Sequence, residues 1–179
     1  LMAAPFYIGF ATVRLGLASD VAVPILLAMQ TLGSVAGAVA YTWLGARNNQ
    51  LAINLALGGA ALLPICALLS DSIGPLPLYV GFLLFGMATT NLMSGYQNWI
   101  VSYPNPDQRP IYVGLANTLS AIISFIAPII GGIIAQYSTY EVLFGIALVM
   151  TFATLYVTTR RMRPPAEARI EHQQEMTEP

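Results

Sequence analysis

At 179 residues, 56% of them hydrophobic and only 8% charged, the chain lies far outside the composition of a soluble domain, in which about a quarter of residues are charged. A net charge of −1, the lack of lysine and seven arginines that do not interleave with aromatic side chains exclude a nucleic-acid surface. One cysteine, Cys66, excludes an intrachain disulfide and a thiolate metal cluster, and in its apolar run it reads as a small buried hydrophobe. What remains is an all-α, polytopic membrane bundle.

The chain opens at Leu1 in an apolar stretch with no basic n-region before it and no small-residue cleavage site after it, as a fragment begins. Leu1 to Val13 is too short for the ~20 residues a bilayer needs and reads as a partial span. Arg14 to Asp20 is a connector in which Ser19 or Asp20 is expected to cap the next helix, with Pro24 in its opening turn. Val21 to Leu44 spans, at roughly 36 Å of helix, and its Gly33 and Gly37 are spaced for close helix approach, a pattern chance also produces in a glycine-rich chain. Gly45 to Gln50 is a polar turn, Leu51 to Leu69 a span whose one amide is Asn54, and Ser70 to Pro77 a turn marked by Gly and Pro. Leu78 to Val101, Ile111 to Ala135 and Val142 to Thr159 span in turn, separated by Tyr103 to Pro110 and Gln136 to Glu141. Residues 1–163 thus form one transmembrane domain of five full helices and a partial first one. Pro164 to Pro179 is a charged, proline-interrupted tail expected to be disordered.

Alternating turns fall on opposite faces. One face carries Arg47, Arg109, Arg160, Arg161, Arg163 and Arg169, and the other carries Arg14 alone, so the arginine-rich face and the C-terminus are expected in the cytoplasm of a multi-pass cell-membrane protein. The stretch Thr89 to Asn117 concentrates what is unusual: Asn91, Gln97 and Asn98 end one apolar run, and Asn117 starts the next. An amide in hydrocarbon is costly without a partner or water, so these side chains should face a protein interior or an aqueous path. At helical spacing Gln30, Ser34, Gly37 and Tyr41 form one stripe, Asn91, Ser94 and Asn98 a second, and Asn117, Ser120 and Ser124 a third. Gln30, Asn91, Ser94, Gln97, Asn98 and Asn117 are the candidate cavity and solute-binding residues. The competing reading of the same amides is interhelical glue, each satisfied by a neighbouring backbone or hydroxyl. Tyr96, Trp99 and Tyr103 read as an interfacial aromatic belt. No Asp, Glu, Lys, Arg or His falls inside a span, which leaves no proton relay or counter-charge there. Nothing suggests an enzyme, a cofactor or a metal: there is no Ser or Cys with a plausible His, no HExxH, no phosphate loop and no ligand cluster.

The turn and helix start PNPDQRPIYVGLANT (Pro104 to Thr118) and the APIIGG of Ala127 to Gly132 resemble the carboxy-terminal half of major facilitator superfamily transporters. The first is similar to the stretch between the tenth and eleventh helices of bacterial members, and the Pro-x-x-Gly-Gly to a motif of the equivalent fifth helix. The resemblance implies the late seventh through the twelfth helix, with the seventh, eighth, tenth and eleventh around a cavity. It also implies cytoplasmic loop or gating roles for Arg47 and Arg109. One motif departs: aligning the family's Gly-x-x-x-Asp-Arg-x-Gly on Arg47 puts Thr42, Ala46 and Asn49 where Gly, Asp and Gly belong. The expected function is a fragment of a secondary active transporter, moving a small solute by alternating access together with a missing amino-terminal half. The rival is a non-transporting helical anchor or scaffold, which needs no aqueous interior.

Overall fold

The computed structural model describes residues 4–45, 47–102 and 104–161, and among these every regular element is helical. A short α1 (Ala4–Val13) precedes five long helices: α2 (Ser19–Leu44), α3 (Asn49–Ile73), α4 (Leu76–Ser102), α5 (Arg109–Tyr137) and α6 (Tyr140–Arg161). All 5 long helices have the length and apolarity to cross a bilayer. The expected tail at 164–179, together with Arg163 and Tyr103, lies outside the described residues.

Each long helix extends a residue or more past an end of its apolar run, because helical hydrogen bonding continues into polar residues that a hydropathy reading assigns to the turn. Ser70, Asp71 and Ser72 belong to α3, which stops at Gly74 with a φ of 101° that an L side chain rarely adopts. At its other end the Asn48 side chain accepts from Leu51 N at 2.9 Å, a normal N-cap. The cap expected from Ser19 or Asp20 does not form. The N-cap of α2 is Ala18, without a side-chain bond, and both polar residues sit inside the first turn. Pro24 is likewise interior, so the Asp20 carbonyl lacks its helical donor. A 3-10 turn, Pro106–Gln108, leads into α5, whose Pro110 occupies the first turn, where its missing N–H removes no helical bond.

Lipid is as apolar as leucine, so burial alone does not join these helices; close backbone approach, interhelical hydrogen bonds and aromatic packing do. Gly33 and Gly37 of α2 face α4: a Cβ on Gly33 would overlap the Leu83 carbonyl, and one on Gly37 would lie 2.7 Å from Met87 Cα. Gly86 answers from α4, where a Cβ would overlap the Gln30 carbonyl. With α3 antiparallel to both, α2 and α4 run parallel and cross at Gly33, Gly37 and Gly86. Helix α3 runs antiparallel to α4, with Gly81 against Leu63 and Cys66, Gly59 against Ala88 and Gly95 against Ile53. Tyr7 and Phe10 of α1 join Phe82, Tyr140 and Phe144 in an aromatic cluster, with Tyr7 stacked on Phe144 at 4.5 Å and Phe10 edge-on to it at 5.4 Å. Helix α5 stands at the edge, with only Gly131 fully buried, near Phe6 of α1 through Gly132.

Side-chain bonds identify the two ends of the bundle. Arg14 meets Asp71 at the end of α3 and Glu141 at the start of α6. At the opposite end Gln50 Nε2 donates to the Thr158 carbonyl at 2.9 Å, and Tyr41, Asn49 and Gly95 join α2, α3 and α4. The grouping of turns inferred from counting spans is therefore the grouping in the fold.

Candidate functional site

The six candidate residues lie on α2, α4 and α5 at different heights. Gln30 is half-buried where α2 crosses Gly86, and Asn91, five residues further along α4, is about 7.5 Å nearer the Asn49 end. Asn98 lies about 10 Å beyond Asn91 and is exposed. Asn117, eight residues into α5, comes roughly 12 Å from the same end, between the levels of Asn91 and Asn98. Asn91 and Asn117 can thus share a level, while Gln30 and Asn98 are too far apart along the axis to hold one small solute together.

Their hydrogen bonds are local. Asn91 Nδ2 donates to the Met87 carbonyl of its own helix at 2.9 Å, and Asn98 Oδ1 accepts from Ser102 Oγ at 3.4 Å. Ser94 and Gln97 are half-buried, and Asn117, Ser120 and Ser124 are exposed. The α2 stripe is used differently. Ser34 Oγ bonds the Gln30 carbonyl at 3.0 Å and reaches the Gly86 carbonyl across the helix contact at 3.4 Å, and Tyr41 turns to Asn49. Ser34, Gly37 and Tyr41 therefore serve the joint between helices, and the polarity that faces outward is on α4 and α5. These are neutral donors and acceptors, able to recognise hydroxyl, amide or carbonyl groups and lacking a charge for an ion.

The two loop arginines differ. Arg47 is exposed in the turn between α2 and α3, whereas Arg109, the first residue of α5, is half-buried with its Nε covered and without a hydrogen-bond partner among the described residues. Two groups of residues escaped the sequence reading. In one, Asn49 Oδ1 accepts from Tyr41 Oη at 2.8 Å while Asn49 Nδ2 donates to the Gly95 carbonyl at 3.0 Å. In the other, Arg14 Nε donates to Asp71 Oδ1 at 2.9 Å and Nη2 reaches Asp71 Oδ2 at 3.3 Å and Glu141 Oε1 at 3.4 Å. The hydrogen bond and charge of Asp71 hold the Arg14 guanidinium above its already high range. Arg14 is the one arginine of a face whose turns also carry Asp20, Asp71 and Glu141, a pattern that could have revealed this second group; nothing local signals the first. Among the described residues no cluster of His, Cys, Asp and Glu could hold a metal.

No curated protein and no solved structure matches the chain. A profile of the Major Facilitator Superfamily matches residues 2–178, almost its full length. Five bilayer-length helices, short connections and that match lead to one conclusion: the chain belongs to the Major Facilitator Superfamily, a family of multi-pass membrane transporters.

Proposed function

We propose that the chain forms one wall of a secondary active transporter, corresponding to the late seventh through twelfth helices, that carries a small neutral or amphipathic solute across the cell membrane by alternating access against an amino-terminal half. The observation that carries the reading is the outward polarity of α5: Asn117, Ser120 and Ser124 are exposed on a helix that packs against its neighbours at few points. Polar side chains on such a helix are costly against lipid and favourable against an aqueous cavity. Asn91 and Asn98 on α4, already bonded to their own helix, have spare donor and acceptor capacity to offer the same cavity. The arginine-rich loops and the C-terminus lie in the cytoplasm, by the bias of Arg47, Arg109 and Arg160 to one end.

Cysteine accessibility tests this before the solute is known. In a Cys66→Ala background of the full-length protein, single cysteines at 91, 98 and 117 should react with a water-soluble methanethiosulfonate, while one at Ile123 or Phe125 should react slowly. Equal protection at 91, 98 and 117 would leave interhelical glue as the role of these amides and would favour the anchor or scaffold reading.

A further inference from the structure

The bond set Tyr41–Asn49–Gly95 stands at the end of the bundle that holds the arginine loops, and it is built with some care. Gly45 follows Tyr41 by one turn, and a Cβ there would lie 2.5 Å from the Tyr41 ring, so glycine is what lets the ring lie back along α2. The hydroxyl then reaches Asn49 Oδ1, across the turn on the first residue of α3. The other end of the amide donates to the Gly95 carbonyl of α4, where the missing side chain leaves room: a Cβ on Gly95 would lie 3.4 Å from Asn49 Oδ1 and 2.5 Å from Ile53 Cγ1. One amide thus uses both its ends on two different helices. Gly95 is flanked by Ser94 and lies two and three residues before Gln97 and Asn98, so the carbonyl held by Asn49 belongs to the turn of α4 that carries three of the six candidate cavity residues.

We propose that Asn49 is a positioning residue: by tying the Gly95 turn of α4 to the start of α3, with Tyr41 fixing the amide's orientation, it sets the placement of Ser94, Gln97 and Asn98 toward the solute path. The inference rests on the transporter reading for its consequence, but the tie itself does not. The two bonds have separable roles. The Nδ2 bond to Gly95 does the positioning; the Tyr41 bond selects which end of the amide points to α4. Replacement of Asn49 by Asp keeps the acceptor for Tyr41, places a favourable negative charge on the first turn of α3 and replaces the donor to Gly95 with a carboxylate oxygen that repels that carbonyl. This variant is expected to fold. Tyr41→Phe keeps the ring over Gly45 and leaves the donor to Gly95 in place.

The test uses the full-length protein with Cys66→Ala and two readouts. Spin labels at Trp43 and Val101, both exposed, report the distance between the ends of α2 and α4, and Asn98→Cys reports water access through its rate with a water-soluble methanethiosulfonate. Asn49→Asp should broaden the distance distribution and change the labelling rate at 98 by about fivefold, the scale of one lost hydrogen bond. Tyr41→Phe should shift both by less. An unchanged distribution and rate in Asn49→Asp, or equal effects from Tyr41→Phe and Asn49→Asp, would overturn the positioning role. Absence of labelling at 98 in every background would instead remove the solute path, and the distance readout would still decide the tie.

Discussion

At the scale of single residues, the fold turns on where glycine stands. Gly33, Gly37 and Gly86 lie at the α2–α4 contact, where backbone meets backbone and a methyl group has no flexible neighbour to displace. Gly33→Ala and Gly37→Ala should each destabilise by about 1–3 kcal/mol through overpacking. Gly58→Ala, in the middle of α3 with nothing within 4 Å of the added carbon, should stabilise by about 0.5–1 kcal/mol by lowering the entropy of the unfolded chain. Thermal unfolding in one detergent checks all three, and equal melting temperatures would mean that α2 and α4 are not this close. The amides separate in the same way. Asn91 is bonded within its own helix, so Asn91→Ala should leave stability within about 0.5 kcal/mol of wild type, whereas glue of the interhelical kind would cost about 0.6 to 2 kcal/mol. On the proposed function, the same variant should change solute affinity or selectivity with expression unaltered.

At the scale of elements, Arg14, just past the end of α1, is tied to the end of α3 and the start of α6, and the rings around Phe144 join α1, α4 and the start of α6. The ion pairs are exposed, with side chains 52% and 40% accessible for Arg14 and Asp71, so they fix geometry more than they add stability. Their pH dependence has a definite sign: a basic group whose folded pKa is raised contributes fully below its unfolded value and loses that contribution only as pH rises through the folded one. For Arg14 that window lies above any working pH, so salt is the lever. Arg14→Gln should leave the melting temperature close to wild type while amide hydrogen exchange quickens at Ser138 to Leu143, and high salt should reproduce the effect in wild type. Exchange that stays slow in both would assign the order of that end to the aromatic cluster alone. The edge position of α5 has a physical origin in its side chains: Ile122, Ile123, Phe125, Ile126, Ile129 and Ile130 are exposed and suited to lipid or a partner helix, apart from the side that carries Asn117, Ser120 and Ser124, while Ile134 and Ala135 pack on the core and Gly132 lies near Phe6 of α1.

At the scale of the whole molecule, the two ends of the bundle differ in charge, and that difference sets orientation. In intact cells with Cys66→Ala, an impermeant maleimide added outside should label a cysteine at Ser72 and spare one at Asn48; the reverse would invert the topology. The sequence alone determined the number of long helices, the approximate ends of each and which turns share a face, because hydropathy, chain length and the alternation of short turns act locally and leave one arrangement. It also marked Asn91, Asn98 and Asn117 as out of place in hydrocarbon, which is a property of the residue and needs no neighbour. What it left undecided was which polar groups meet. Gln30, Ser34 and Tyr41 share a stripe with the spacing of a cavity lining, yet Ser34 and Tyr41 are taken up by α4 and α3. Asn49, which departs from the family pattern in the chain, joins three helices. Only tertiary structure decided this, since a stripe on a helix defines a direction from its own axis, and the partner in that direction lies on another helix, 8 to 52 positions away along the chain.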